Sequence, residues 1–182
     1  MQLSNELSNH FLIKIPSKYK TQFAGSVVYI THHNLYSGAQ GVIINKPISR
    51  TLVDMFKNVD MTQYGQKWGD GTLYFGGSVK PDNGFFLRKA ATDQLDGFEI
   101  TGNKDHLDDL VKSDGELFMS VGYSSWAPCQ LETEIRNNNW LIIKGHNDLI
   151  FGMDPVIRYD EALKLAGVKN IGSLYCGGDI FA

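Results

Sequence analysis

GYSSWAPCQLETEIRNNNWL, residues 122 to 141, decides how the chain is read, because it joins a strand-like run to a short amphipathic one through a compact turn. Leu131 and Ile135 stand four apart, as one face of a helix requires, and Pro128 suits a first helical turn. The spacing predicts a helix over 128–137. Gln130 then falls near the third helical position, where its amide reaches back to the cap, and Arg136 near the far end suits the helix dipole. Asn137, Asn138 and Asn139 supply a stop, and Trp140 opens the next strand.

Working outward, runs rich in β-branched and aromatic residues predict strands at FLIKI (11–15), SVVYIT (26–31), GVIIN (41–45), LYFG (73–76) and GFFLRK (84–89). Four more follow at FEIT (98–101), ELFMSVG (116–122), WLIIK (140–144) and SLYC (173–176). Helical periodicity is confined to 128–137 and three other stretches: TLVDMFKNV (51–59), KDHLDDLVKS (104–113) and YDEALKLAG (159–167), the last ended by Gly167. A regular alternation of strand and helix is absent. The pattern therefore predicts an α+β fold, a mixed sheet with a few short helices, in a single domain over residues 1–182.

Seventeen Lys and Arg against twenty Asp and Glu give a net charge of -3, which disfavours direct nucleic-acid binding. No run of apolar residues is long enough to span a membrane and no leader pattern precedes FLIKI, so a cytoplasmic protein is expected. The two cysteines, Cys129 and Cys176, form no CxxC pair and are expected to be reduced.

Cys129 falls in the first turn of the predicted helix, beside free N–H groups and the positive dipole end, where a thiol is activated. It is a candidate nucleophile, although no histidine adjoins it in sequence and packing as a small apolar side chain is the competing reading. Ser124 and Ser125 lack the second glycine that a hydrolase elbow needs. Histidines at 10, 32, 33, 106 and 146 show no metal-ligand spacing, and His32 and His33 would face opposite sides of a strand. The segments FGGSVKPDNG (75–84) and NKP (45–47) read either as tight turns or as anion-binding nests beside Lys80 and Lys46.

Three of these motifs, GAQGVIINKP (38–47), YFGGSVKPDNGFFL (74–87) and GYSSWAPCQLETEIRNNNWL (122–141), resemble in order and spacing the AlgH/YqgE family of bacterial proteins. The resemblance implies a cytosolic protein with a compact α+β fold on a bulged mixed sheet. For some members it also implies an association with transcriptional regulation, without an agreed catalytic mechanism. The family pattern falls on Gly41, Asn45, Pro47, Gly76, Gly77, Gly84, Gly122, Trp126, Gln130, Leu131, Glu132, Glu134, Ile135, Trp140 and Leu141. Cys129 departs from it, standing where the family commonly has Gly. Nothing in the sequence resembles a basic recognition helix.

The expectation is a non-catalytic binding or regulatory protein that uses no cofactor and no metal. Its ligand or partner site would comprise Asn45, Lys46, Gly76, Gly77, Trp126, Gln130 and Glu132, and would take a protein partner or a small anion. The alternative is a thiol-dependent or hydrolytic enzyme built on 122–134, with Cys129 as nucleophile or Glu132 or Glu134 as base. On a helix those two carboxylates point about 200° apart, so they cannot serve one substrate together.

Overall fold

The computed structural model describes residues 6–17, 21–49, 71–89 and 116–169 in full, and residues 95–100 as backbone. The helices expected over 51–59 and 104–113, the strand expected over 173–176, and Cys176 lie outside the described residues.

Eight of the nine expected strands are present. They are β1 (His10–Lys14), β2 (Val27–Asn34), β3 (Gly38–Ile43), β5 (Leu73–Phe75), β6 (Val79–Lys89), β7 (Leu95–Ile100), β8 (Leu117–Trp126) and β9 (Trp140–Lys144). A two-residue strand, β4 (Pro47–Ile48), adds to them, and three helices follow: α1 (Gln130–Arg136), α2 (Asp148–Phe151) and α3 (Arg158–Leu165). The strands join in the order β4-β5-β8-β3-β2-β1-β9, with β6 on the other flank of β8 and β7 beyond it. Pairing is antiparallel except between β5 and β8, which run parallel, so the sheet is mixed. The register slips between Ile30 and His32 in β2 and between Val79 and Gly84 in β6, two bulges that add local bend and twist.

Strand β8 carries the topology and corrects the sequence reading that ended this strand at residue 122 ahead of a compact turn. Ser124, Ser125 and Trp126 pair with Gly41, Gln40 and Ala39, so the strand runs on to Trp126. Small residues here serve backbone approach. A Cβ on Gly76 would lie 2.3 Å from the carbonyl oxygen of Gly122, and Gly122 itself sits at φ +66°, a conformation natural to glycine. Gly76 donates its N–H to Val121 O at 2.9 Å and accepts from Ile43 N at 2.9 Å, stitching β5, β8 and β3 together.

Both sheet faces are covered, which is why β1, β2 and β3 read as nearly continuous apolar runs. Alternation along β1 sends Phe11 and Ile13 to one face and Leu12 to the other. The first face packs beneath α2 and α3 through Leu149, Ile150, Ala162 and Leu163. The second packs beneath α1 through Leu131, with Leu7, Trp126 and Trp140 around it. Helix α3 ends as expected: Gly167, at φ +82°, donates to Lys164 O at 2.9 Å, while Val168 donates to Leu163 O at 3.0 Å.

Candidate functional site

The turn ahead of α1 differs from the expected helix start at residue 128. Gln130 N–H donates to Ala127 O at 3.0 Å, and Cys129 adopts φ 61°, ψ 1°, the conformation of the third residue of a type II turn. A left-handed residue cannot belong to a right-handed helix, so α1 starts at Gln130 and Cys129 precedes its first turn. The thiol is exposed rather than packed, and its contact is the carbonyl oxygen of Leu35 at 3.8 Å. The expected reach of Gln130 to the cap is not made, because Gln130 is itself the first helical residue; its Oε1 accepts instead from the N–H of Ala127, two residues ahead of the cap Cys129, at 3.0 Å. At the other end Asn138 takes φ +55°, and Asn138 and Asn139 donate to Ile135 O and Glu134 O, so asparagine closes α1 as glycine closes α3.

The two carboxylates of α1 point to different places, as their spacing requires. Glu132 is buried and its Oε1 lies 2.6 Å from His33 Nε2. Leu7 N–H donates to His33 Nδ1 at 3.1 Å, so the ring proton sits on Nε2 and faces Glu132. His32 on the opposite face is exposed, in keeping with strand alternation, while His33 is buried. Glu134 gathers three donors: Trp140 Nε1 at 2.7 Å and Trp126 Nε1 at 3.2 Å on one oxygen, and Gln130 Nε2 at 2.9 Å on the other. Phe23 stacks on Trp126 at 5.9 Å and meets Trp140 edge-on at 5.4 Å. Lys14 Nζ lies 4.9 Å from the Trp140 ring centre, and burial pushes this ammonium below the ordinary lysine range against the pull of Glu134.

Asn45 and Lys46 reach the loop that carries Phe23. Asn45 accepts from Val27 N–H at 2.8 Å and donates to Gly25 O at 2.8 Å, and Lys46 Nζ donates to Gln22 O at 2.5 Å. Burial lowers the pKa of Lys46. Phe75 N–H donates to Lys46 O at 2.8 Å, and Ser124 Oγ donates to Gly76 O at 3.2 Å. The NKP, FGG and SSW segments are therefore neighbours through their backbones, but Gly76 and Gly77 are filled against β8. A Cβ on Gly77 would meet the Tyr123 carbonyl carbon at 2.2 Å. Among the described residues no group of three or more His, Cys, Asp or Glu could hold a metal, and no helix is long and apolar enough to cross a membrane.

A second polar centre escaped the sequence reading. Arg158 opens α3 and is 4% exposed, with Nε donating to Met153 O at 3.0 Å and its two terminal nitrogens donating to Ile150 O at 2.7 Å and to Ile44 O. Its guanidinium lies 5.1 Å from the Tyr74 ring centre. Burial pulls the arginine pKa down and lifts that of the Tyr74 phenol, each opposing the other's shift. One signal was available: a cation in the first helical turn runs against the helix dipole, so a tertiary role is needed to hold it there.

The sequence profile of a family described as AlgH-like matches residues 11–171. A UPF0301 protein of Bordetella petrii is 35% identical over 92% of this chain and 87% of its own length. One from Chromobacterium violaceum is 36% identical over 90% and 92%. Among solved structures, the AlgH protein of Pseudomonas aeruginosa superposes with a TM-score of 0.71 at 28% identity, covering 96% of this chain and 97% of that one. A Corynebacterium diphtheriae protein reaches 0.68 at 18% identity over 90% and 89%, which speaks to the fold alone.

Proposed function

The chain belongs to the AlgH-like family, and we propose that it acts as a non-catalytic binding protein of regulatory character whose partner is another protein. The observation that carries this reading is the engagement of the groups an enzyme built on 122–134 would use. Glu132 is matched to a buried imidazole whose second nitrogen is taken by Leu7, and Glu134 already accepts from two indoles and an amide. A general base needs hydrogen-bond reach to the proton it removes, and the exposed Cys129 thiol meets a carbonyl instead. The net charge of -3 favours a protein over a nucleic acid as partner.

The same network makes a firm platform. Asn34 Oδ1 accepts from Tyr36 N–H at 2.8 Å and Ser37 N–H at 3.3 Å, holding the β2–β3 turn with Tyr36 90% exposed. Leu35 of that turn touches Cys129, and Ala127, Pro128, Cys129 and Gln130 are exposed beside it. A rigidly presented tyrosine next to an exposed turn is the kind of anchor protein interfaces use. In this reading Trp126 and Glu132 support the platform from below and Gln130 borders it, while Asn45 and Lys46 hold the loop of Phe23 at the other end of the β2–β3 pair. Affinity capture from the native cell extract with wild type and Tyr36→Ala tests the idea. A protein held by wild type and lost at least tenfold in the variant, at unchanged melting temperature, is the expected result. Equal capture by both, or by neither, defeats it.

A further inference from the structure

On the opposite face of the sheet, β5, the start of β8 and the corner between α2 and α3 border an open cleft of about 310 Å³ lined in part by Tyr74, Phe118, Ile150 and Arg158. That volume lies at the lower end of small-molecule pockets, which run from roughly 300 to 1,000 Å³ with apolar walls and a few placed polar groups. Leu117, Phe118, Met119, Ile150 and Phe151 supply the apolar walls, while Thr72, Tyr74, Glu116 and Arg158 supply the polar groups.

Arg158 is the unusual member. A guanidinium has five N–H donors, and the three carbonyls it meets take three of them without offsetting its charge. Buried charges are ordinarily paired. Among the described residues no carboxylate lies within ion-pair distance of Arg158, and Asp154, whose field reaches it, turns its Oδ1 to Val156 N–H at 2.9 Å. Glu116, the carboxylate of the lining, is exposed and lies 3.2 Å from Lys89 Nζ, which also lies 5.8 Å from the Phe151 ring centre. The cleft thus combines a buried cation that, among the described residues, has no carboxylate at ion-pair distance with a lining carboxylate that already has a lysine beside it.

We propose that this cleft binds a small organic monoanion, a carboxylate on an apolar body of about ring size, with the carboxylate at Arg158 and Tyr74 and the body against Phe118 and Ile150. A planar carboxylate matches the guanidinium fork, and removing both from water strengthens the pair. A phosphate group would bring two charges to one cation and no surface for the apolar walls. This site is separate from the Tyr36 platform, and either assignment can fail without the other.

Amide NMR titration of the wild-type protein with benzoate tests it, with benzamide and inorganic phosphate as controls. Saturable shifts at Thr72, Phe118, Phe151 and Arg158 are expected with benzoate, with both controls at least about tenfold weaker. Arg158→Lys, checked for an intact fold by its melting temperature, keeps the charge but loses the fork and should weaken benzoate about tenfold. No shift at these amides with benzoate, equal binding of benzamide, or equal binding of phosphate overturns the proposal.

Discussion

Helix α1 and helix α3 each bring charge into the interior, on opposite faces of one sheet, and they settle it in different ways. The carboxylates of α1 meet donors that suit them: an imidazole for Glu132, and two indoles and an amide for Glu134. The guanidinium of α3 meets neutral carbonyls and an aromatic ring, beside an open cleft. Satisfied hydrogen bonds and compensated charge are separate conditions: the donors on α1 are neutral as well, but the Lys14 ammonium lies within the field of Glu134, whereas Arg158 has no carboxylate at ion-pair distance among the described residues. That contrast is why α1 is read as scaffold and the α3 corner as a place for a ligand.

Removing the α3 charge should have the larger effect. Arg158→Ala leaves the carbonyls of Ile44, Ile150 and Met153 without their donor, and unfolding in urea should show a loss of about 3–5 kcal/mol. A loss under about 1 kcal/mol would mean that water replaces the guanidinium easily, and the two regions would then differ less than their geometry says. Glu132→Gln on the α1 side keeps the shape and an acceptor for His33 Nε2 but removes the charge assistance. It should lower stability by about 1–2 kcal/mol in the same measurement. A larger loss than that of Arg158→Ala would reverse the comparison.

The two regions also differ in how visible they were beforehand. The strands were legible because β-branched and aromatic runs leave little else for the chain to do, and the end of α3 at Gly167 followed from helix-capping chemistry. A backward bond from the Gln130 amide followed from spacing alone, although it reaches Ala127 and not the cap. The continuation of β8 through Ser124 and Ser125 was hidden, because small residues that admit a neighbouring backbone look the same in sequence as residues that turn a chain. His33 and Glu132 are 99 residues apart, and Arg158 finds Ile44 across 114, so neither pairing had a local signature. The resemblance placed Trp126, Gln130, Glu132, Glu134 and Trp140 in one motif, and packing explains their company: Glu134 ties the two indoles and Gln130 to one helix, and Glu132 fixes that helix to β2.

The smallest expected effect belongs to the turn that opens α1, where the Pro128 ring misled the reading because it suits the second position of a type II turn as well as a first helical turn. Cys129 holds φ 61° with an exposed side chain whose sulfur donates weakly to Leu35 O. A left-handed conformation costs a side-chain-bearing residue roughly 1–2 kcal/mol, and glycine escapes it at the expense of extra freedom in the unfolded chain. Cys129→Gly should therefore raise stability by about 0.5–1 kcal/mol in urea unfolding. Asn138, at φ +55° beyond the other end of the same helix, is a residue that tolerates this region, so Asn138→Gly should gain less. If Cys129→Gly destabilised the protein, the thiol would be anchoring the Tyr36 turn through Leu35, and the platform would depend on that sulfur rather than on the carboxylate network beneath it.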